Sequence, residues 1–75
     1  MMYNLKDFEE QKTTVEPETI YGAAYDYRGY RVAWGRCQSN RETYYTVWVD
    51  GEVVATRTKR RECERKAIAY LNANQ

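Results

Sequence analysis

The sequence predicts an α+β fold: three or four antiparallel strands with one C-terminal helix packed on one face. Three observations carry this reading. Thr43 to Val49 is rich in β-branched and aromatic residues, the composition that suits a pleated, half-buried surface. Asp50-Gly51 follows at once, the strongest short signal for a two-residue hairpin of type I′. Beyond Thr58 the apolar period changes from 2 to 3.6, with Cys63, Ala67, Tyr70 and Leu71 at i, i+4, i+7 and i+8 and Ile68 beside them.

Each element has a local reason. Asn4 to Gln11 reads as a short helix capped by Asn4, with Asp7 in the favoured first turn. Two turns do not persist alone, so Leu5 and Phe8 must dock on something. Thr13 to Thr19, around the only proline, reads as a linker. The chain thus divides into an acidic N-terminal arm, residues 1–19, and a sheet-plus-helix domain, residues 20–75. Ile20 to Tyr27 is a first strand, weakened by its glycine and alanines. Arg28-Gly29 is a turn, and Tyr30 to Cys37 alternates with Tyr30, Val32 and Trp34 on one face. Gln38 to Glu42 is a polar connection.

A two-residue turn at Asp50-Gly51 sets the register of the last hairpin. Trp48 then faces Val53, Val47 faces Val54, Thr46 faces Ala55 and Tyr44 faces Arg57. One face carries Tyr45, Val47, Val49, Val54 and Thr56; the other carries Tyr44, Thr46, Trp48, Val53, Ala55 and Arg57. The helix, Arg60 to Asn72 with Thr58 as its N-cap, should cover the first and more aliphatic face. Glu62 and Lys66 are spaced for an i,i+4 pair.

Composition narrows the function. At 75 residues the chain makes one domain with a marginal core. No apolar run reaches the ~18 residues of a membrane span and no signal peptide is evident, which reads as cytoplasmic. Cys37 and Cys63 lie on different predicted elements and read as free thiols. Without histidine there is no recognisable zinc site and no Ser-His or Cys-His nucleophile pair, so neither an enzyme nor a cofactor is expected. Glu9 and Glu10 are adjacent on a surface helix, a poor arrangement for paired acid-base work.

The run Thr56-Arg57-Thr58-Lys59-Arg60-Arg61 carries most of the information about partners. Residues 57–66 hold six bases and two acids, whereas residues 1–18 hold five acids and two bases. Cations in a first helical turn oppose the helix dipole at a cost of roughly 0.3–1 kcal/mol each. The bland reading is a solvated helix start that aids solubility. The sharper one is a phosphate site built from guanidinium groups and free backbone N–H groups. Eight tyrosines and two tryptophans mostly fill a small core, but one sheet face must show aromatics to solvent or a partner. Gly35 permits either a bulge or a close approach, or merely weakens an edge. The expected nucleic-acid-binding set is Arg57, Lys59, Arg60, Arg61, Arg65, Arg31, Arg36, Tyr44, Trp48 and Trp34.

Tyr27-Arg28-Gly29-Tyr30-Arg31 followed by Trp34-Gly35-Arg36 resembles the opening of the Apetala-type DNA-binding domain of plant transcription factors. Its three-stranded sheet and helix recur in the arm-binding domains of phage tyrosine recombinases. The closing stretch, Lys59 to Asn74, is similar in style to the last helix of the phage versions. The resemblance implies a sheet that enters the major groove, with Arg28, Arg31, Trp34 and Arg36 at the contacting positions. The ending also resembles that of a double-stranded RNA-binding domain, where lysines at the helix start grip phosphates. The expectation is therefore a small, non-enzymatic, phage-like protein that binds DNA or RNA. Its alternative is a small regulator or inhibitor that binds a host protein through its aromatic sheet face.

Overall fold

The computed structural model describes Met2 to Asn74. Its element order is α1 (Leu5–Gln11), β1 (Thr13–Thr14), β2 (Gly22–Tyr27), β3 (Tyr30–Ser39), β4 (Glu42–Val49), β5 (Glu52–Arg57) and α2 (Arg60–Ala73). The strands form one antiparallel sheet in the order β1-β2-β3-β4-β5, five strands where the sequence predicts three or four. The fifth comes from the expected linker: Thr13 and Thr14 pair with Asp26 and Tyr25. Two residues are too few to carry an alternating pattern. Among the described residues no helix is long and apolar enough to cross a membrane.

Backbone turns build the meander. Arg28-Gly29, Asn40-Arg41 and Asp50-Gly51 each place both central residues at positive φ, as a two-residue type I′ turn requires. The expected polar connection Gln38 to Glu42 shrinks accordingly, because β3 runs on to Ser39 and β4 begins at Glu42. The first strand starts at Gly22 rather than Ile20. The Thr19 hydroxyl accepts from the N–H groups of Tyr21 (3.1 Å) and Gly22 (3.2 Å), turning the chain there and leaving Ile20 and Tyr21 exposed.

Both helices lie on one face of the sheet. That face presents Ala23, Tyr25 and Tyr27 of β2, Val32 and Trp34 of β3, Val47 and Val49 of β4, and Ala55 of β5. Helix α2 contributes Cys63, Ala67, Ile68 and Leu71, as its periodicity predicts, with Tyr70 half-buried. The Cys63 thiol donates to the Tyr45 carbonyl at 3.0 Å, and burial pushes its pKa up. Both cysteines are free. The expected Glu62–Lys66 ion pair does not form; the i,i+4 pair on this helix is Arg60–Glu64, at 3.9 Å.

The register of the last hairpin departs from expectation after two rungs. Val49 faces Glu52 and Trp48 faces Val53, but Val47 then faces Ala55, Thr46 faces Thr56 and Tyr45 faces Arg57. Val54 is the extra residue of a β-bulge. Ala55 and Arg57 therefore move to the helix side and Thr56 to the open side, opposite to an unbroken alternation. The apolar pattern rewards this slip, since it turns Val54 and Ala55 both toward the core.

The N-terminal segment is part of the core. The Asn4 side chain accepts from the Asp7 N–H at 2.8 Å, capping α1 as expected. Phe8 is buried edge-on against Tyr25 and Tyr27, with ring centroids 5.8 and 5.2 Å apart. Asp7 accepts from the Tyr27 hydroxyl at 2.5 Å and takes a two-pronged ion pair from Arg28, 2.7 Å at each oxygen. Tyr3 and Asn72 exchange two hydrogen bonds, 2.7 and 3.0 Å, joining the two ends of the described chain.

This packing makes two measurable demands. Leu71 is 2% exposed, so Leu71→Ala should cost roughly 2–5 kcal/mol in a urea melt; a loss below about 0.5 kcal/mol would refute its core position. Arg28 and the Tyr27 hydroxyl together hold the Asp7 pKa at about 2, below its ordinary 3.8. A depressed carboxylate stabilises the fold above its unfolded pKa and loses that contribution as pH falls through the folded one. Wild-type stability should thus drop between pH 3.8 and about 2, and Asp7→Asn should flatten that part of the profile in acid-titration melts.

Candidate functional site

The ten expected site residues divide between two surfaces and the core. The open face, away from the helices, carries Arg31, Tyr44 and Trp48 together with Ala33, Gly35 and Cys37. Trp48 packs over Gly35: a Cβ there would sit 3.2 and 3.3 Å from two atoms of its six-membered ring. The glycine is thus a close-approach position. The Tyr44 hydroxyl donates to Glu42, which raises its pKa. Arg31 is paired with Glu16 at 3.3 Å, both side chains being largely exposed. Arg57, expected beside Tyr44 and Trp48, is carried off this face by the bulge.

Trp34 is the second correction. It sits on the helix face, 6% exposed, where it cannot stack on a base. It forms part of the floor of a cleft of about 750 Å³, lined by Glu18, Thr19, Ile20, Trp34, Arg36, Tyr45 and Arg60. Tyr45 leans on its ring, with centroids 5.7 Å apart. Arg60 places its guanidinium 5.1 Å above the indole, within cation–π range. A backbone bond from Arg36 N–H to the Tyr21 carbonyl, 2.8 Å, holds the 18–21 segment against β3 as one wall. Glu18 accepts from the Tyr25 hydroxyl at 2.5 Å. The Trp34 indole N–H is buried without a hydrogen-bond partner among the described residues.

The start of α2 closes the cleft. The N-cap is Lys59 rather than Thr58, with extended backbone at φ −126° and ψ 133° and no side-chain hydrogen bond to the helix. Lys59 therefore stands just before the first turn, which Arg60 and Arg61 open. The first N–H groups of this helix thus have no side-chain acceptor from the cap, and the positive dipole end meets a cluster of cations with Glu62 as the one acid of the first turn.

Ion pairing separates the cations of the chain into two groups. Lys12, Arg28, Arg31 and Arg60 have carboxylate partners. Among the described residues Lys6, Arg36, Arg41, Arg57, Lys59, Arg61, Arg65 and Lys66 have none, and apart from Lys6, Arg36 and Arg41 these lie at the β5–α2 junction or on the first two turns of α2. The four positions matched by the Apetala-type resemblance do not share one surface. Arg28 is held by Asp7 at a turn, Arg31 is on the open face, and Trp34 and Arg36 are on the helix face.

Several residues of the cleft escape sequence reasoning. Ile20, Thr19 and Glu18 lie in what reads as a linker and a strand start, and Tyr45 reads as core. Glu64, which does not line the cleft but pairs with Arg60, is missed as well and is the most consequential. It is 5% exposed, desolvation raises its pKa, and its carboxylate reaches Arg60, four residues earlier. The i,i+4 spacing was the available signal. Arg60 is thereby built in, whereas Arg61 has no carboxylate partner among the described residues. Arg60→Gln should cost about 1 kcal/mol, because the indole loses its cation and the buried carboxylate is left unpaired. Arg61→Gln should stay within about 0.5 kcal/mol of wild type in the same chemical melts.

In comparisons with known proteins, no family model, curated protein or solved structure matches the chain.

Proposed function

We propose that this protein binds nucleic acid without catalysing a reaction, gripping the phosphate backbone with Arg36, Lys59, Arg60 and Arg61 around the uncapped start of α2. Arg57 and Arg65 flank the grip. One observation carries the reading: cations without acidic partners concentrate where a helix N-terminus has no side-chain cap. Phosphate oxygens would satisfy both the guanidinium groups and the helix N–H groups. Arg60, stacked on Trp34 and anchored by Glu64, presents a guanidinium whose orientation is largely set before binding. Because Trp34 is buried, it is not free to stack between bases, so contacts of this kind position a backbone and read little sequence.

A host-protein partner is the second reading. It is favoured by the open sheet face, where Trp48 and Tyr44 are half-buried and Val53 is 64% exposed with no described element packed over them. Salt separates the two. Binding to random duplex DNA or RNA should weaken steeply with salt, the log-log slope reflecting phosphate contacts. Lys59→Gln with Arg61→Gln, both exposed, should weaken binding to all sequences alike and flatten the slope by about one unit for each phosphate no longer neutralised. A wild type with no affinity at low salt, or a double variant that binds unchanged, would pass the case to the protein-partner reading.

A further inference from the structure

We infer that the free edge of β5 pairs antiparallel with the same edge of a second copy of this chain, making a continuous sheet across a two-fold axis at Ala55. This rests on the sheet and not on the nucleic-acid reading.

β5 ends the sheet, with no described strand on its outer side. Relative to β4 it has five rungs, Glu52, Val53, Ala55, Thr56 and Arg57, with Val54 as the bulged residue. Read backwards, this ladder complements itself. Glu52 meets Arg57 of the second copy, Val53 meets Thr56, and Ala55 meets Ala55 on the axis. Residues opposed across an antiparallel pair must share a face, and here they do. Glu52, Ala55 and Arg57 are paired with Val49, Val47 and Tyr45 on the helix side; Val53 and Thr56 are paired with Trp48 and Thr46 on the open side. Without the bulge, Glu52 and Arg57 would lie on opposite faces and the pairing would fail.

The backbone agrees. Rungs of an antiparallel ladder alternate between facing their partner strand and facing away. The Thr56 carbonyl is reached by the guanidinium of Arg57 in its own chain, at 2.8 Å, as an outward-facing group would be. Val53 lies two rungs away and shares its orientation. In the pair, Val53 and Thr56 oppose each other and exchange both N–H···O bonds. Alanine, the smallest side chain of the strand, falls on the crowded axis. Each copy would place an opposite charge at each end of the seam, and Val53, 64% exposed in the single chain, would pack against Thr56 of the other copy. The opposite edge, β1, has only two residues and offers no comparable ladder. In this arrangement Arg57 serves the seam, leaving the phosphate contacts to Arg36, Lys59, Arg60 and Arg61.

Sedimentation velocity on the full chain, without nucleic acid, tests the pairing. The wild type should run at twice the 9.0 kDa chain mass, and hydrogen exchange should find the Val53 and Thr56 amides protected. Arg57→Glu sets carboxylate against carboxylate and should return the 9.0 kDa species, with both amides exposed. The charge swap Glu52→Arg with Arg57→Glu should restore the doubled mass. Far-UV circular dichroism separates loss of pairing from loss of fold. A single-chain wild type with unprotected Val53 and Thr56 amides, a folded swap that stays single, or assembly beyond two copies would each overturn the inference.

Discussion

Register is the constraint on which this structure depends. In a sheet with one covered face, a shift of one residue sends every side chain to the wrong side. Three two-residue turns with left-handed central residues lock the meander: Arg28-Gly29, Asn40-Arg41 and Asp50-Gly51. Side chains reinforce the first and last. Asp26 accepts from the Gly29 N–H at 3.1 Å, and Asp50 exchanges hydrogen bonds with the Arg31 backbone, through its carboxylate at 2.9 Å and its own N–H at 2.8 Å. Once these turns hold, Val32, Trp34, Val47 and Val49 face the helices and Ala33, Trp48 and Tyr44 face away.

The bulge at Val54 breaks that register and reassigns the far end of β5. It turns Val54 and Ala55 toward the core beneath α2, exposes Thr56 on the open side, where its hydroxyl meets that of Thr46 at 3.1 Å, and moves Arg57 across the sheet. The two sets of aromatic residues are thereby kept apart. Trp34 and Tyr45 support the cleft by the helix start, while Trp48 and Tyr44 remain on the open face. Arg57 and Trp48 thus lie on opposite faces of the sheet.

Electrostatics follows the same division. Near α1, three charges of the N-terminal segment are matched: Asp7 with Arg28 and Tyr27, and the Lys12 ammonium with Glu9 and with the Phe8 and Tyr25 rings. Those contacts fasten the N-terminal helix to the sheet. At the start of α2, charges are mostly unmatched, and the Arg60–Glu64 pair joins an exposed guanidinium to a buried carboxylate. The helix start therefore carries more cations than acids, at some cost to local helix stability.

Elements with local causes were legible in the chain before any fold was known. Asp50-Gly51 and Arg28-Gly29 announced their turns, Asn4 its cap, and the spacing Cys63, Ala67, Leu71 the buried stripe. The cluster of bases near residue 60 was equally visible as composition. What those residues touch was settled only when the segments packed together. The bulge depends on which residues fill the space under α2, so alternation along Glu52 to Arg57 could not reveal it. Trp34 alternates as a strand residue whether its face is covered or bare, and only the docking of the helices buries it. The β1 pairing is too short to leave a pattern, and Glu64 reads as a solvated glutamate until α1 and α2 close around it. Local propensity reaches a few residues along the chain, whereas these features rest on contacts between segments far apart in it.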